Sequence, residues 1–146
     1  MARRPPDPFA SFNFLLEIQG VTQAGFSEAS GFNVEDTPIE YREGKDKELH
    51  VRKQPGLVKY GNITLKRGLT TTNELLEWLK KVEDGDVERQ AVTITLLNEK
   101  KDPAWKWDLL EAWPCKWTGP DLKANASEIA IESLEICHER VIGGPA

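Results

Sequence analysis

The sequence predicts a mainly β fold of the α+β class, with strands set around one helix. Period-two alternation of apolar and polar residues runs from Phe12 to Ile18 and recurs toward the end between Ile129 and Ile136, as strands with one buried face require. A single stretch, Leu75 to Val82, carries its apolar residues at helical spacing. Between these segments no catalytic constellation occurs, so the molecule is expected to work through its surfaces and sheet edges.

The 146 residues suit one domain, residues 11–146, preceded by an arm, residues 1–10. Three prolines, Pro5, Pro6 and Pro8, keep that arm out of helix and leave it flexible or held by a partner. A formal charge of -5 disfavours a phosphate-tracking role, which needs clustered Lys and Arg. No run of about 18 apolar residues is present, and the residues from Met1 to Pro8 lack the apolar centre of a signal peptide. Synthesis and folding in the cytoplasm, without a membrane anchor, are therefore expected. Cys115 and Cys137 lack metal-site spacing. Reduced, half-buried thiols are the simpler reading, and a disulfide between them stays open.

In the first strand Phe12, Phe14, Leu16 and Ile18 share a face, and Leu15 interrupts the polar one. Gly20, Gly25 and Gly31 punctuate the next stretch, giving short strands at Val21 to Phe26 and Gly31 to Glu35 with bends between them. Residues 38–56 mix charges of both signs around Gly44 and end in the turn dipeptide Pro55-Gly56. A solvated loop would have that composition. The length of the segment, with the alternation of Ile39 and Tyr41 and then Leu49 and Val51, favours a protruding hairpin that reaches beyond the domain.

Tyr60 to Arg67 reads as a strand ended by Gly68. Helix is predicted over residues 72–84, opened by a Thr71 and Glu74 capping box and closed at Gly85 after Lys80 and Lys81. Its stripe is Leu75, Leu76, Leu79 and Val82, flanked by Trp78, and Glu77, Glu83, Asp84 and Asp86 make its outer surface and exit acidic. Residues 91–111 read as a hairpin turning at Asn98 to Pro103, followed by a kinked aromatic segment through Trp113, Pro114 and Trp117. Trp105, Trp107, Trp113 and Trp117 either form a stacking platform or pack in a core and interface cluster, which the net acidity favours. In the last strand Ile129 and Ile131 have one parity, Leu134 and Ile136 the other. A bulge near Glu132, or a strand that changes packed surfaces, is expected.

Chemistry has few members to recruit. His50 and His138 are the only histidines, and zinc, nucleophile-elbow, phosphate-loop and dinucleotide motifs are missing. Neither an enzyme nor a metal or cofactor site is expected.

Taken in order, Phe12 to Ile18, Gly25 to Phe32, Ile39 to Gly44, Pro55-Gly56, Asn62 to Gly68, Leu75 to Leu79 and Asn125 to Val141 resemble the tail tube proteins of contractile phages and phage-tail-like contractile injection systems. The resemblance spans about residues 9–142. It implies a β-sandwich or barrel-like domain with one flanking helix, similar to the type VI secretion tube protein, in hexameric rings that stack into a hollow tube driven through a target envelope by sheath contraction. The implied partners are further copies of the chain, a sheath protein, baseplate and terminal cap proteins, and protein cargo or DNA in the lumen. The particle is assembled in the cytoplasm and can be released from the cell. The hairpin residues Ile39, Tyr41, Arg42, Glu43, Lys45, Asp46, Lys47, Glu48 and Val51 would reach a neighbouring subunit or ring, and Glu77, Glu83, Asp84 and Asp86 would face the sheath. A tube initiator or cap adaptor of the same fold is one alternative, and a monomeric ligand-binding β-barrel with a tryptophan-lined cavity is another.

Overall fold

Alternation in the amino-terminal segment becomes the first strand of a computed structural model, which describes residues 8–9, 13–18, 21–23, 26–45, 47, 49–69, 71, 73–125 and 127–146. Strand β1 (Phe14–Ile18) buries Leu16, half-buries Phe14 and Ile18 and exposes Leu15, the division that period two dictates. Apart from Pro8 and Phe9, the expected arm lies outside the described residues, as do Phe12, Gly20, Gly25, Asp46 and Glu48. The chain continues through β2 (Val21–Gln23), β3 (Phe26–Ser30), β4 (Val34–Asp36), β5 (Ile39–Tyr41), β6 (Arg52–Gln54), β7 (Val58–Tyr60) and β8 (Ile63–Gly68). Helix α1 (Glu74–Glu83) follows, then β9 (Gln90–Leu97), β10 (Pro103–Thr118), β11 (Ile131–Cys137) and β12 (Arg140–Pro145).

The main sheet has the order β2-β1-β9-β10-β11-β8-β3, with β12 also on β10. Strand β10 makes this arrangement possible. Its first half pairs with β9 and β12 and its second half with β11. Register shifts between Leu109 and Ala112, where Glu111 has a positive φ of 54°, and again between Pro114 and Lys116. Two bulges bend one strand so that it serves two sheet halves. Local pattern ends this strand near Trp113, yet it continues to Thr118 because Pro114, which cannot donate to a ladder, falls at the second bulge.

Across the bend, Leu16, Val92, Ile94 and Leu109 of one half meet Ile63, Leu65, Leu134 and Ile136 of the other, with Leu75 and Trp78 of α1 completing the core. The outcome is a β-sandwich with barrel-like continuity and one flanking helix. Strand β3 departs from the bend expected there, since Ser27, Glu28 and Ser30 carry little strand signal. Pairing with β8, Ala29 opposite Leu65 and Ser30 opposite Thr64, overrides that weak propensity. Residues after Cys137 also depart from expectation. In place of one closing strand, the chain turns at His138 and Glu139 and returns along β10 as β12.

Helix α1 begins two residues later than predicted, and its capping box does not form. Asn73 is the cap residue and makes no side-chain cap hydrogen bond. Glu74 is thus the first helical residue, too early for the reciprocal bond, and its Oε1 accepts a 2.7 Å hydrogen bond from Arg67 Nη1. Trp78, expected at the flank of the stripe, is central to it: Leu75 and Trp78 are buried while Leu76, Leu79 and Val82 are half-buried.

The expected parity change in the last strand is absent. Glu132, Leu134 and Ile136 all face the core, and β11 pairs with β8 in unbroken register from Ile131 opposite Gly68 to Ile136 opposite Ile63. A charged residue occupying a core position mimics a switch of face. Glu132 is 3% exposed and its partner Arg67 4% exposed. Arg67 Nε donates to Glu132 Oε1 at 2.5 Å, and the Trp117 indole N–H donates to Glu132 Oε2 at 3.0 Å. The Arg67 guanidinium also lies over the Phe26 ring, 5.5 Å from its centroid. Strands β3, β8, β10 and β11 and the start of α1 are thereby tied to one cation. Burial disfavours the Arg67 charge, but the two carboxylates outweigh it and hold its pKa above the ordinary value. The hydrogen bond from Arg67 holds Glu74 below the ordinary carboxylate range. Stability from Glu74 is therefore present at neutral pH and is lost as pH falls through that depressed value.

Glu132→Leu should lower the unfolding free energy by roughly 3–5 kcal/mol in urea titrations, because it leaves a buried guanidinium undercompensated. The double change Arg67→Met with Glu132→Leu should recover most of the loss. A single-variant cost below about 1 kcal/mol, the range of exposed ion pairs, would contradict a buried structural role.

Candidate assembly surfaces

The edge strand β3 and its partner β8 do not end at the sheet. Their chain continues outward as β4 with β7, registering Val34 with Tyr60 and Asp36 with Val58, and then as β5 with β6, registering Ile39 with Gln54 and Tyr41 with Arg52. Residues 38–56 are thus the outer part of one articulated hairpin that starts in the sheet. At about 3.3 Å per residue, the run from Val34 to Tyr41 spans on the order of 25 Å.

Joints in this stalk fall where glycine lets the two runs approach. A Cβ on Gly31, whose φ is +99°, would fall 2.1 Å from the Asn62 carbonyl oxygen. At Gly56 the corresponding atom would fall 2.1 Å from the Thr37 carbonyl oxygen, while the Gly56 N–H donates to Asp36 Oδ1 at 2.8 Å. Pro38 and Pro55 flank that second joint and interrupt the ladder. The root is braced from the side. Phe32 packs on Trp107 with centroids 4.5 Å apart, and His138 Nε2 donates to the Gly61 carbonyl oxygen at 2.7 Å. Phe32, Val34, Tyr60, Trp107 and Val141 line an open cleft of about 270 Å³ beside it.

A two-stranded ribbon has no second layer, so its apolar side chains remain in water. Val34, Ile39, Tyr41, Leu49, Val51, Leu57 and Val58 are all exposed, Leu49 at 93%. Ile39, Tyr41 and Val51 belong to the hairpin set read from sequence. Val34, Leu57 and Val58 were missed, although Pro55-Gly56 beside an apolar pair was a usable signal. Opposite charges face each other along the stalk, Glu35 with Lys59 and Glu40 with Lys53, as cross-strand pairing favours. The Tyr41 hydroxyl donates to Glu43 at 2.5 Å, which raises its pKa. Lys45 and Lys47 sit exposed near the tip, while Asp46 and Glu48 of the same set fall outside the described residues.

The second expected surface is the helix and its exit, where Glu77, Glu83, Asp84 and Asp86 are all exposed. Lys81 beside them donates to Glu88 at 2.5 Å, and Glu88, Asp86 and Glu77 hold its pKa above the ordinary value.

Three of the five tryptophans have structural contacts. Trp107 and Trp117 pack against the core, and the Trp78 indole N–H donates to the Glu88 carbonyl oxygen at 2.9 Å. A cleft of about 460 Å³ along residues 118–123 and 128–131 has no tryptophan in its lining, and Trp107 is the one tryptophan bordering the cleft beside the stalk. Among the described residues no group of three or more His, Cys, Asp or Glu side chains could hold a metal ion, and no helix is long and apolar enough to cross a membrane.

The family model for T4-like virus tail tube protein gp19 matches residues 10–142. The chain belongs to the tail tube protein family. A solved structure of an extracellular contractile injection system, the PVC sheath-tube complex in the extended state, contains a chain 26% identical to this tail tube protein. The match covers 97% of this chain and 95% of that one, with a TM-score of 0.87. The six-fold symmetrised baseplate of the anti-feeding prophage (AFP) contains another, 25% identical over 94% of this chain and 95% of that one, with a TM-score of 0.80. Hcp1 from Flavobacterium johnsoniae shares the fold at 16% identity, over 91% of this chain and 95% of that one, with a TM-score of 0.56. No curated protein is significantly similar to the chain in sequence. The tail tube protein is thus a tube protein of the kind found in contractile injection systems, a reading that fits better than an initiator or cap adaptor of the same fold or a monomeric ligand-binding barrel.

Gly31→Ala should loosen the stalk at its root, since both the positive φ and the close Asn62 carbonyl oppose a Cβ. Limited proteolysis is expected to cut residues 34–60 faster in this variant while the sandwich core stays protected. Unchanged cleavage would show that the joint tolerates the added atom.

Proposed function

We propose that the protein is the inner-tube subunit of a contractile phage tail or contractile injection system. Six copies form a ring, rings stack into a hollow tube, and sheath contraction drives that tube through a target envelope with protein cargo or DNA in its lumen. One observation carries this reading: the stalk displays a row of exposed apolar side chains, a surface of the kind that marks a protein–protein contact. A six-fold assembly is supported by the similar chain in the six-fold symmetrised baseplate, and a sheath partner by the similar chain in the sheath-tube complex. Baseplate and terminal cap proteins would close the two ends. The role is mechanical, and the family description is structural rather than enzymatic.

In the assembled tube Ile39, Tyr41, Leu49 and Val51 bury against a neighbouring subunit or ring, while Arg42, Glu43, Lys45, Asp46, Lys47 and Glu48 set register by charge. Glu77, Glu83, Asp84 and Asp86 face the sheath through screened contacts that can break as it shortens. The tube is built in the cytoplasm and travels in a phage-tail-like particle that can leave the cell.

Negative-stain electron microscopy across a concentration series should show six-fold rings and hollow tubes. Monomers at every concentration would defeat the proposal, and rings that never stack would assign the chain to a single-ring initiator or cap adaptor. Lys45→Glu with Lys47→Glu should shorten or abolish tubes with an unchanged circular dichroism spectrum. Replacing the four helix-surface acids by their amides should leave tubes intact and weaken sheath assembly on them. Normal sheathing would remove those acids from the interface.

A further inference from the structure

Cys115 and Cys137 take no part in the surfaces above, and the backbone brings them together in an unusual way. In β11 the core face carries Glu132, Leu134 and Ile136, so Cys137 lies on the opposite, outer face. Cys137 is registered with Trp113, and the ladder resumes at Lys116 opposite Glu135, leaving Cys115 as the extra residue of the β10 bulge. In a regular ladder the two would be diagonal neighbours, about 7–8 Å apart, beyond the usual span of a disulfide. The bulge bends and twists β10, and the two thiols lie within hydrogen-bonding reach of each other. Both are free and half-buried. Cys115 Sγ also lies 3.5 Å from the Glu135 carbonyl oxygen and 3.9 Å from Glu135 Oε2.

We infer that Cys115 and Cys137 are a paired oxidation site, which closes to an intrachain disulfide in the presence of a low-molecular-weight disulfide of the glutathione class. One cysteine thiolate attacks a sulfur of glutathione disulfide, forming a mixed disulfide and expelling one glutathione thiolate. The second thiol loses its proton to solvent and, as the thiolate, displaces the second glutathione thiolate, which is protonated in turn. Two S–H bonds are lost and one S–S bond forms. The two electrons and two protons end on two molecules of glutathione. Burial, reinforced by Cys137, pushes the Cys115 thiol up to about 12. Either order of attack needs the Cys115 thiolate, so disulfide formation quickens as pH rises.

The site adjoins the root of the stalk. Asn62 Nδ2 lies 4.0 Å from Cys115 Sγ, and His138, next to Cys137, holds Gly61. A cross-link here would lock β10 to β11 beside the joint that carries the stalk.

The test uses the full chain, incubated with glutathione disulfide at mildly alkaline pH, quenched with acid, alkylated and weighed by intact mass spectrometry with non-reducing peptide mapping. The expected product is a monomer lighter by two hydrogens, resistant to alkylation, with the Cys115 and Cys137 peptides joined, and melting several degrees above the reduced protein. Cys115→Ser should stop at a glutathione adduct on Cys137 that dithiothreitol releases, and a thermal melt confirms that this variant is folded. If it is not, the mass and peptide map of the unaltered chain decide. Two alkylatable thiols, a persistent glutathione adduct on the unaltered chain, or disulfide-linked dimers would each overturn the inference. None of these outcomes depends on whether the protein forms tubes.

Discussion

A single buried cation organises the half of the sandwich that bears the helix. Arg67 on β8 binds Glu132 on β11 and Glu74 at the start of α1, and Glu132 in turn accepts from Trp117 on β10. Removing two charges from water costs several kcal/mol per ion, so this network adds little net stability compared with an apolar core of the same volume. What it supplies is register. A leucine pair would fill the space equally well with β11 slid by two residues. Because Arg67 bonds one carboxylate on β11 and another at the start of α1, it favours one alignment of β11 on β8 and one starting point for the helix.

That alignment bears on the stalk, because β8 is both the partner of β11 and the inner end of the outer hairpin. Any slip in β8 would be transmitted through Gly61 and Asn62 to the whole projecting arm. The Phe32–Trp107 stack and the His138–Gly61 hydrogen bond oppose such movement from the other side. Apolar residues displayed on a narrow ribbon are an aggregation hazard in a monomer. A stiff, registered stalk converts the hazard into a directed contact, since it can meet only a surface placed at the right distance and angle. A ring satisfies that condition repeatedly, with two different patches of one subunit meeting at each interface. The open edges β2 and β3 of the main sheet raise the same issue and admit the same solution.

Much of this architecture was legible in the residues. Alternation located β1, β8 and β9, the 3.6-residue spacing located α1, and mixed charge around Gly44 located the hairpin tip. The failures share one cause: long-range pairing that no local window contains. Strand β3 looks like a bend until β8 supplies its ladder. Thr71 and Glu74 look like a capping box until Arg67, held by Glu132, claims the glutamate. Ile129 and Ile131 look like part of a core stripe, although they are 81% and 44% exposed, because the core position between them and Leu134 belongs to a charged residue. The stalk residues were legible as a protrusion. The joints at Gly31 and Gly56 were not, because a close approach between distant segments leaves no periodicity.

The two proposed surfaces differ in the kind of contact they can make, and the difference suits opposite mechanical demands. Contacts within a tube must survive being driven through an envelope, and burial of apolar side chains, at roughly 25 cal/mol per Å², is not screened by salt. Contacts between tube and sheath must break together when the sheath moves, which favours exposed charges that are individually weak and screened beyond about 10 Å. Lys81 is bonded to Glu88, and Glu77 and Asp86 add to the charges that favour its protonated form. Glu83 and Asp84 sit at the carboxyl end of α1, where the helix dipole adds to their negative charge. A basic partner would therefore register on the helix exit more than on its length, a narrow point of attachment that can detach from the sheath without disturbing the stalk.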